Sequence, residues 1–303
     1  MQTYVGITDR DWFELLRTIP QLDEVNFWQP SGNRQFKALK PGELFLFKLH
    51  SPHDYIVGGG IYAHSSLLPI SLAWESFGVS NGARNLSEMR KRVEKYRRTV
   101  EYRTNDYIIG CILLEQPFFL PETAWIPVPS DWKTNIVQGR RYDLSIEPGL
   151  SLWIQLNRAM PVASSVREEI ARYGQPILTL PRLGQGSFRI LVTDAYERRC
   201  AVTNERTLPA LDAAHIKPYS ESGQHIISNG ILMRRDLHAL FDKGYITVTP
   251  SMKVEVSRRI REEFENGRDY YRLHGSTIRL PVGPENRPSL GYIEWHNLNI
   301  YRG

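Results

Sequence analysis

His215, Asn229, His238 and Asp242 are the residues of this chain whose types and spacing could do chemistry. His238 and Asp242 stand four apart in Asp236-Leu-His-Ala-Leu-Phe-Asp242, a stretch with helical spacing. An imidazole and a carboxylate then share one helix face and can hold a divalent cation. His215 closes Leu211-Asp-Ala-Ala-His215, which reads as a strand stopped by Pro218, and it could face the same point. Beside a metal-bound phosphate, a free imidazole has one obvious role. Its unperturbed pKa lies near neutrality, so it can take a proton from water as general base. The cation would stabilise the negative charge that builds on the phosphate and the leaving oxygen. Asn229 can use both halves of its amide to pin the backbone of the loop that carries His215.

The elements that must position these groups read in the order strand, polar loop, strand, helix, strand. The loop holds Ser220, Ser222, Gly223 and Ser228, the second strand is Gly-Ile-Leu-Met after Asn229, and the helix ends at Gly244, a good C-cap position. Upstream, Ser187 to Tyr196 reads as a helix capped by Ser187, with Phe188, Leu191, Val192 and Ala195 inward. Taken singly, each residue has a plainer reading: a strand histidine that packs, an Asn-Gly turn, a solvated His/Asp pair. The ordered set is what carries information. Arg234 and Arg235 just before the helix, and Lys217 just after the first strand, are candidates to neutralise phosphates without reading bases. His225 in the loop and His296 in the tail read as incidental, and Cys200 as a small buried hydrophobe.

The order His215, Asn229, His238, Phe241-Asp242 resembles the HNH endonuclease family, whose core is the ββα-metal fold. Cys200-Ala-Val-Thr, Ala-Ala-His-Ile, Asn-Gly-Ile-Leu-Met and Leu-His-Ala-Leu-Phe-Asp look like its bacterial restriction-type branch, and the resemblance covers residues 184–300. It implies that His215 is the general base, Asn229 the loop-orienting residue and His238 a metal ligand. The ion would be one divalent metal, Mg2+ or Mn2+. Many members of the family have a metal-binding Asp or His directly before the base, where this chain has Ala214. The missing ligand is then Asp242 or Asp212, with Asp242 favoured because the helix sets it beside His238. Cys200 is followed by Ala-Val-Thr203 rather than by a second cysteine, so no structural zinc is expected.

Composition frames this reading. The 303 residues are enough for about two domains, and 41% hydrophobic with 23% charged residues is an ordinary globular mix. A net charge of +5 permits a polyanionic partner without demanding one. Two cysteines, Cys111 and Cys200, exclude a disulfide scaffold and suit a reducing cytoplasm. The start, MQTYVGITDRDWFELL, lacks a signal-peptide core, and no apolar run approaches the ~20 residues of a membrane helix. A soluble, cytoplasmic protein with no membrane partner is expected.

Six of the seven tryptophans precede residue 160. Strands are expected at Gly42–Leu49, Tyr55–Tyr62 and Tyr107–Leu114, with a basic helix at Asn85–Tyr96 capped by Ser87. Together they suggest a small, strongly curved β-barrel. Trp28 with Ser31 and Asn33, and Trp74 with Phe77 and Asn81, could cage a flipped base, rings on its faces and polar groups on its edge. Arg90, Lys91, Arg92, Lys95, Arg97 and Arg98 offer a backbone-contacting face. This order of strands and aromatics, with the later Trp132–Tyr142 stretch, resembles the PUA superfamily, which includes EVE, YTH, ASCH and SRA-type readers of modified bases. The likeness covers residues 1–155.

The expectation is therefore an α+β chain: a PUA-like modified-base-binding domain at 1–158, a linker at 159–185 with a short helix at Arg167–Tyr173, and an HNH domain at 186–303. The two resemblances together imply a metal-dependent DNA endonuclease acting in modification-dependent restriction against phage. Its partner would be double-stranded DNA carrying modified bases. One HNH site cuts one strand, so a homodimer is expected for a double-strand break. The rivals are a non-catalytic reader with a decayed nuclease half, and a nuclease whose front half docks a protein.

Overall fold

The computed structural model describes residues 1–97, 106–160 and 183–303. The chain divides into two compact units, residues 1–181 and 182–303. Most of the segment expected as a linker, the helix expected at Arg167–Tyr173, and Arg98 lie outside the described residues. Among the described residues no helix is long and apolar enough to cross a membrane.

In the first unit, β1 (Gln2–Thr8), β2 (Glu24–Gln29), β3 (Leu44–Leu49), β4 (Tyr55–Pro69), β5 (Ile108–Phe119), β6 (Ile126–Pro127) and β7 (Gly139–Asp143) form one sheet. Its order is β2-β5-β4-β3-β1-β7, with β6 against β4; β1 and β3 run parallel and the other pairs antiparallel. The central strand β3 shows why. All six residues of Leu44-Phe-Leu-Phe-Lys-Leu49 are buried, and strand alternation sends Phe45 and Phe47 to one face and Leu44 and Leu46 to the other. Phe45 and Phe47 join a cluster with Trp12 and Phe13 of α1 (Arg10–Leu16); Leu44 and Leu46 join Leu152 and Leu156 of α4 (Gly149–Ala159). Each such side chain contributes about 1.5–3 kcal/mol by leaving water.

Three expectations for this unit are corrected. The strand path is open, and among the described residues β2 and β7 do not close it into a barrel. The strand expected to end at Tyr62 continues to Pro69, and the one expected to end at Leu114 continues to Phe119. The glycines at 58–60 are close-approach positions: a Cβ on Gly58 would stand 2.2 Å from the Phe118 carbonyl oxygen. They let the two backbones meet, and the register shifts between Gly59 and Ile61 absorb the bend without ending the strand. The helix Leu86–Tyr96 (α3) is capped by Asn85, whose side chain accepts from the Glu88 amide at 2.9 Å, and not by Ser87, which lies within its first turn. α2 spans Ile70–Phe77.

The second unit follows the expected order. α5 (Gln185–Ala195) precedes the antiparallel hairpin of β8 (Leu211–His215) and β9 (Gly230–Arg234). Then come α6 (Arg235–Asp242), β10 (Ile246–Val248), β11 (Val254–Val256), α7 (Arg259–Phe264), α8 (Arg268–Tyr271) and α9 (Leu290–Asn299). α5 starts two residues before Ser187, behind Gly184, and Ser187 is buried inside it. Phe188, Ile231, Met233 and Phe241 belong to one core that ties α5, the hairpin and α6 together. Gly230 lets α5 close on the hairpin, since a Cβ there would lie 2.4 Å from Val192. Gly244 (φ +74°) ends the turn after α6 in the left-handed region.

Candidate active site

β8 and β9 present their ends to the site: His215 is the last residue of β8 and pairs with Gly230. The connecting loop, 216–229, is folded back on itself, and Gly223 makes this feasible, because a Cβ there would stand 1.9 Å from the Lys217 carbonyl oxygen. Asn229 is fully buried and holds the loop from inside. Its Oδ1 accepts from the Lys217 amide at 2.9 Å, and its Nδ2 donates to the carbonyls of Lys217 and Gln224, each at 2.9 Å. Both halves of the amide are used.

The His215 ring stacks on Phe188 of α5, centroids 3.8 Å apart and planes 13° off parallel. Its Nε2 lies 2.9 Å from Nδ1 of His225, which stacks in turn on Tyr219 at 4.6 Å. Burial pushes the His215 pKa down, and the neighbouring His225 and His238 push it further, to about 4. At neutral pH the ring is uncharged and keeps a lone pair.

His238, on the second turn of α6, sits between two carboxylates. Its Nδ1 is 3.1 Å from Asp212 Oδ2 and its Nε2 is 3.3 Å from Asp242 Oδ2. Burial alone would lower the His238 pKa, but the hydrogen bonds and charges of Asp212 and Asp242 outweigh it and raise the value to about 9. The ring is an imidazolium at neutral pH. For Asp212, burial works upward, yet the His238 hydrogen bond and the charges of His238 and Arg189 hold the carboxyl below its usual range. Arg189 Nε of α5 is 3.5 Å from Asp212 Oδ1. Strand alternation puts Asp212 on the face of β8 that Ala214 shares. A carboxylate is thus supplied two residues upstream of the position that Ala214 leaves without one.

The donor set suits a hard divalent cation: two carboxylates and one imidazole, with the negative charge that raises His238. Among the described residues no three His, Cys, Asp or Glu side chains are arranged around one point. Asp212, His238 and Asp242 form a row, and a proton on His238 neutralises the charge a cation would neutralise.

Other expected site residues stand differently. Arg234 is tied to Asp236, Nε to Oδ1 at 3.0 Å with a second bond from Nη2 to Oδ2, so its guanidinium is engaged at the start of α6. Lys217 Nζ lies 5.1 Å from the Trp295 ring centroid, and Arg235 is exposed at the first position of α6. In the first unit, Phe77 is buried and Asn81 is fully buried. The Asn81 amide is consumed: Oδ1 accepts from Asn26 at 2.8 Å, and Nδ2 donates to the carbonyls of Ala73 and Gly78. Neither residue can offer an edge to a base. Trp28 donates from Nε1 to the Asn81 carbonyl at 3.0 Å; Trp74 is half-buried, and Ser31 and Asn33 are exposed.

Sequence reasoning missed Arg189, His225 and His296. His225 falls four residues before Asn229, a position that only the fold-back of the loop brings to His215. His296 is buried; its Nε2 donates to the Phe241 carbonyl at 3.1 Å and its ring stacks on Phe241 at 3.8 Å, which docks α9 on α6. Burial lowers its pKa to about 4, so it holds this contact uncharged.

The HNH_2 family model, HNH endonuclease, matches residues 200–249, which contain Asp212, His215, Asn229, His238 and Asp242. Among solved structures the chain is similar to "Modification dependent TagI restriction endonuclease", at 12% identity over 98% of this chain and 81% of that one, with a TM-score of 0.31. No curated protein matches.

Proposed function

We propose that this chain is a metal-dependent DNA endonuclease of the modification-dependent restriction type, serving defence against phage. In this reading residues 182–303 cut and residues 1–181 read a modified base through a PUA-like domain. One observation carries the nuclease half. Within the stretch that matches HNH endonucleases, a neutral His215 on a pinned loop and a His238 held between two carboxylates occupy one hairpin and its following helix. The charges of His238, Asp242 and Asp212 all act on His215.

The chemistry follows from these groups. Asp212, His238 and Asp242 are the donors that would hold the divalent ion, Mg2+ or Mn2+ by their chemistry, once the His238 proton leaves and the row they form closes on one point. When bound, that ion supplies Lewis-acid stabilisation of the charge on the phosphate and the leaving oxygen. His215 takes a proton from the attacking water, and its low pKa keeps the ring uncharged at neutral pH. An approaching phosphodiester adds negative charge near the ring and strengthens it as a base. Asn229 keeps the loop from carrying His215 away. Arg235, exposed at the first position of α6, would meet a neighbouring phosphate.

For the reader half, Trp28 and Trp74 are partly exposed rings, with Ser31 and Asn33 nearby in sequence to Trp28. The exposed basic residues of α3, Lys91 and Lys95, would follow the DNA backbone. Two copies acting on one double-stranded DNA would complete a double-strand break.

The test is digestion of matched unmodified, methylated, hydroxymethylated and glucosylated DNA by the purified chain with Mg2+ or Mn2+. At least one modified DNA should be cut and its unmodified copy spared. Equal cutting of all four removes the reader assignment and leaves the nuclease assignment standing.

A further inference from the structure

The loop 216–229 brings a second imidazole to the proposed general base. Nδ1 of His225 is 2.9 Å from Nε2 of His215, and among the described residues Nδ1 of His215 makes no hydrogen bond. Both rings are clamped. Phe188 stacks on His215 at 3.8 Å and 13°, and Tyr219 stacks on His225 at 4.6 Å and 12°. The loop is clamped as well: Asn229 Nδ2 holds the carbonyl of Gln224, the residue before His225, and both polar groups of the Lys217 backbone are taken by the same side chain. The contact between the two imidazoles therefore has a fixed geometry.

A hydrogen bond between two neutral imidazoles contains one proton, and its direction has a consequence. If His215 donates from Nε2, its Nδ1 keeps a lone pair. If His225 donates from Nδ1, His215 accepts at Nε2 and carries its own proton on Nδ1, so neither nitrogen is left to take a proton from water. One hydrogen bond thus decides whether His215 can act as a base.

We propose that His225 is a positioning residue for His215: its Nδ1 accepts from the His215 Nε2–H, fixes that tautomer, and leaves His215 Nδ1 to face the nucleophile. The inference rests on the reading of His215 as general base. In the step, a water O–H bond breaks and a P–O bond forms as the oxygen attacks phosphorus, an Nδ1–H bond forms on His215, and the P–O bond to the leaving oxygen breaks, that oxygen taking a proton from solvent water. The ring becomes an imidazolium whose Nε2–H still points at the His225 lone pair, now as a stronger, charge-assisted bond. The proton then leaves Nδ1 for solvent and the ring returns to its starting tautomer. Metal-binding histidines commonly have a partner on the far nitrogen that sets tautomer and basicity; here the same device serves a histidine that binds no metal.

The experiment has two arms, both on the full chain. The first is a multiple-bond 1H–15N spectrum of the histidine rings at neutral pH without metal, with the His215 signals assigned by their loss in His215→Ala. The second is single-turnover nicking of plasmid DNA. Wild type should show His215 protonated on Nε2. His225→Ala should lose that defined tautomer and nick about 10–100-fold more slowly with DNA affinity unchanged. His225→Asn, whose side-chain oxygen can accept the same bond, should restore the tautomer and most of the rate, which a merely structural role would not predict. In a His215→Ala background, His225→Ala should cost nothing further. His215 protonated on Nδ1 in wild type, a wild-type rate in His225→Ala, or equal loss in His225→Ala and His225→Asn would each overturn the proposal. The spectrum does not need cutting: a wild type that shows the Nε2 tautomer, lost in His225→Ala, yet never nicks DNA would support the positioning role and refute the nuclease reading.

Discussion

His215→Ala should lower single-turnover nicking by about 10²–10⁴-fold while DNA binding is retained, because the ring's contribution is to proton transfer and not to holding phosphate. The ring also packs on Phe188, so truncation opens a small cavity. His215→Gln is the companion variant that fills the space without supplying a base of useful strength. Both should lose the rate, and both should keep the melting temperature close enough to wild type for binding to be measured. The pH profile gives an independent reading. The acid limb of kcat/KM reports the free enzyme's essential base. Burial and the neighbouring histidines lower His215 to about 4, so with the divalent ion kept saturating against the His238 proton, activity should persist well below 6.5 and fall only as pH approaches 4. Nicking by His215→Gln at the wild-type rate would remove His215 from the mechanism.

Asp212→Asn should weaken Mn2+ binding by roughly 100-fold, and Asp242→Asn by roughly 10-fold, measured by calorimetric titration. The order follows from position. Asp212 is the closer to His238, 3.1 Å against 3.3 Å, and the less exposed, 34% against 55%. It stands on a paired strand between His238 and Arg189, so its carboxylate is oriented before any ion arrives. Asp242 is the last residue of α6, where the negative end of the helix dipole disfavours a carboxylate and solvent competes for it. Either change should also lower the His238 pKa from about 9, since each removes one of the groups that raise it. Equal effects, or a larger loss in Asp242→Asn, would show that the helix residue is the principal ligand.

The contrast between these two aspartates shows what could be read from the sequence. An i,i+4 pair on a helix is conspicuous, so Asp242 stood out. The partner three residues before His215 depended on strand alternation, with Asp212 on the face of Ala214, and on α5 supplying Arg189. Pro218 and Gly244 marked real boundaries, and Asn229 was legible because few side chains can serve three backbone groups at once. His225 was not legible, because it reaches His215 only through a loop whose return depends on the missing Cβ of Gly223. The pairing of Arg234 with Asp236 is not legible either, because it depends on the turn into α6. In the first unit, the apolar runs located the strands but not their ends, since glycines 58–60 read equally as a break or as a close approach of two backbones. The base cage was drawn from aromatic and amide residues near one another in sequence, and two of them, Phe77 and Asn81, are spent on packing and backbone hydrogen bonds.

Everything in the nuclease reading depends on the hairpin and α6 forming one hydrolytic centre that works with a divalent ion. The direct measurement is conversion of supercoiled plasmid, bearing a modification the chain accepts, to nicked circles by wild-type protein with Mg2+ or Mn2+ and with excess EDTA. The account predicts nicked circles with either ion and none with EDTA. Nicking that continues undiminished in EDTA, or a plasmid that stays supercoiled with both ions across the full set of modifications, would contradict it.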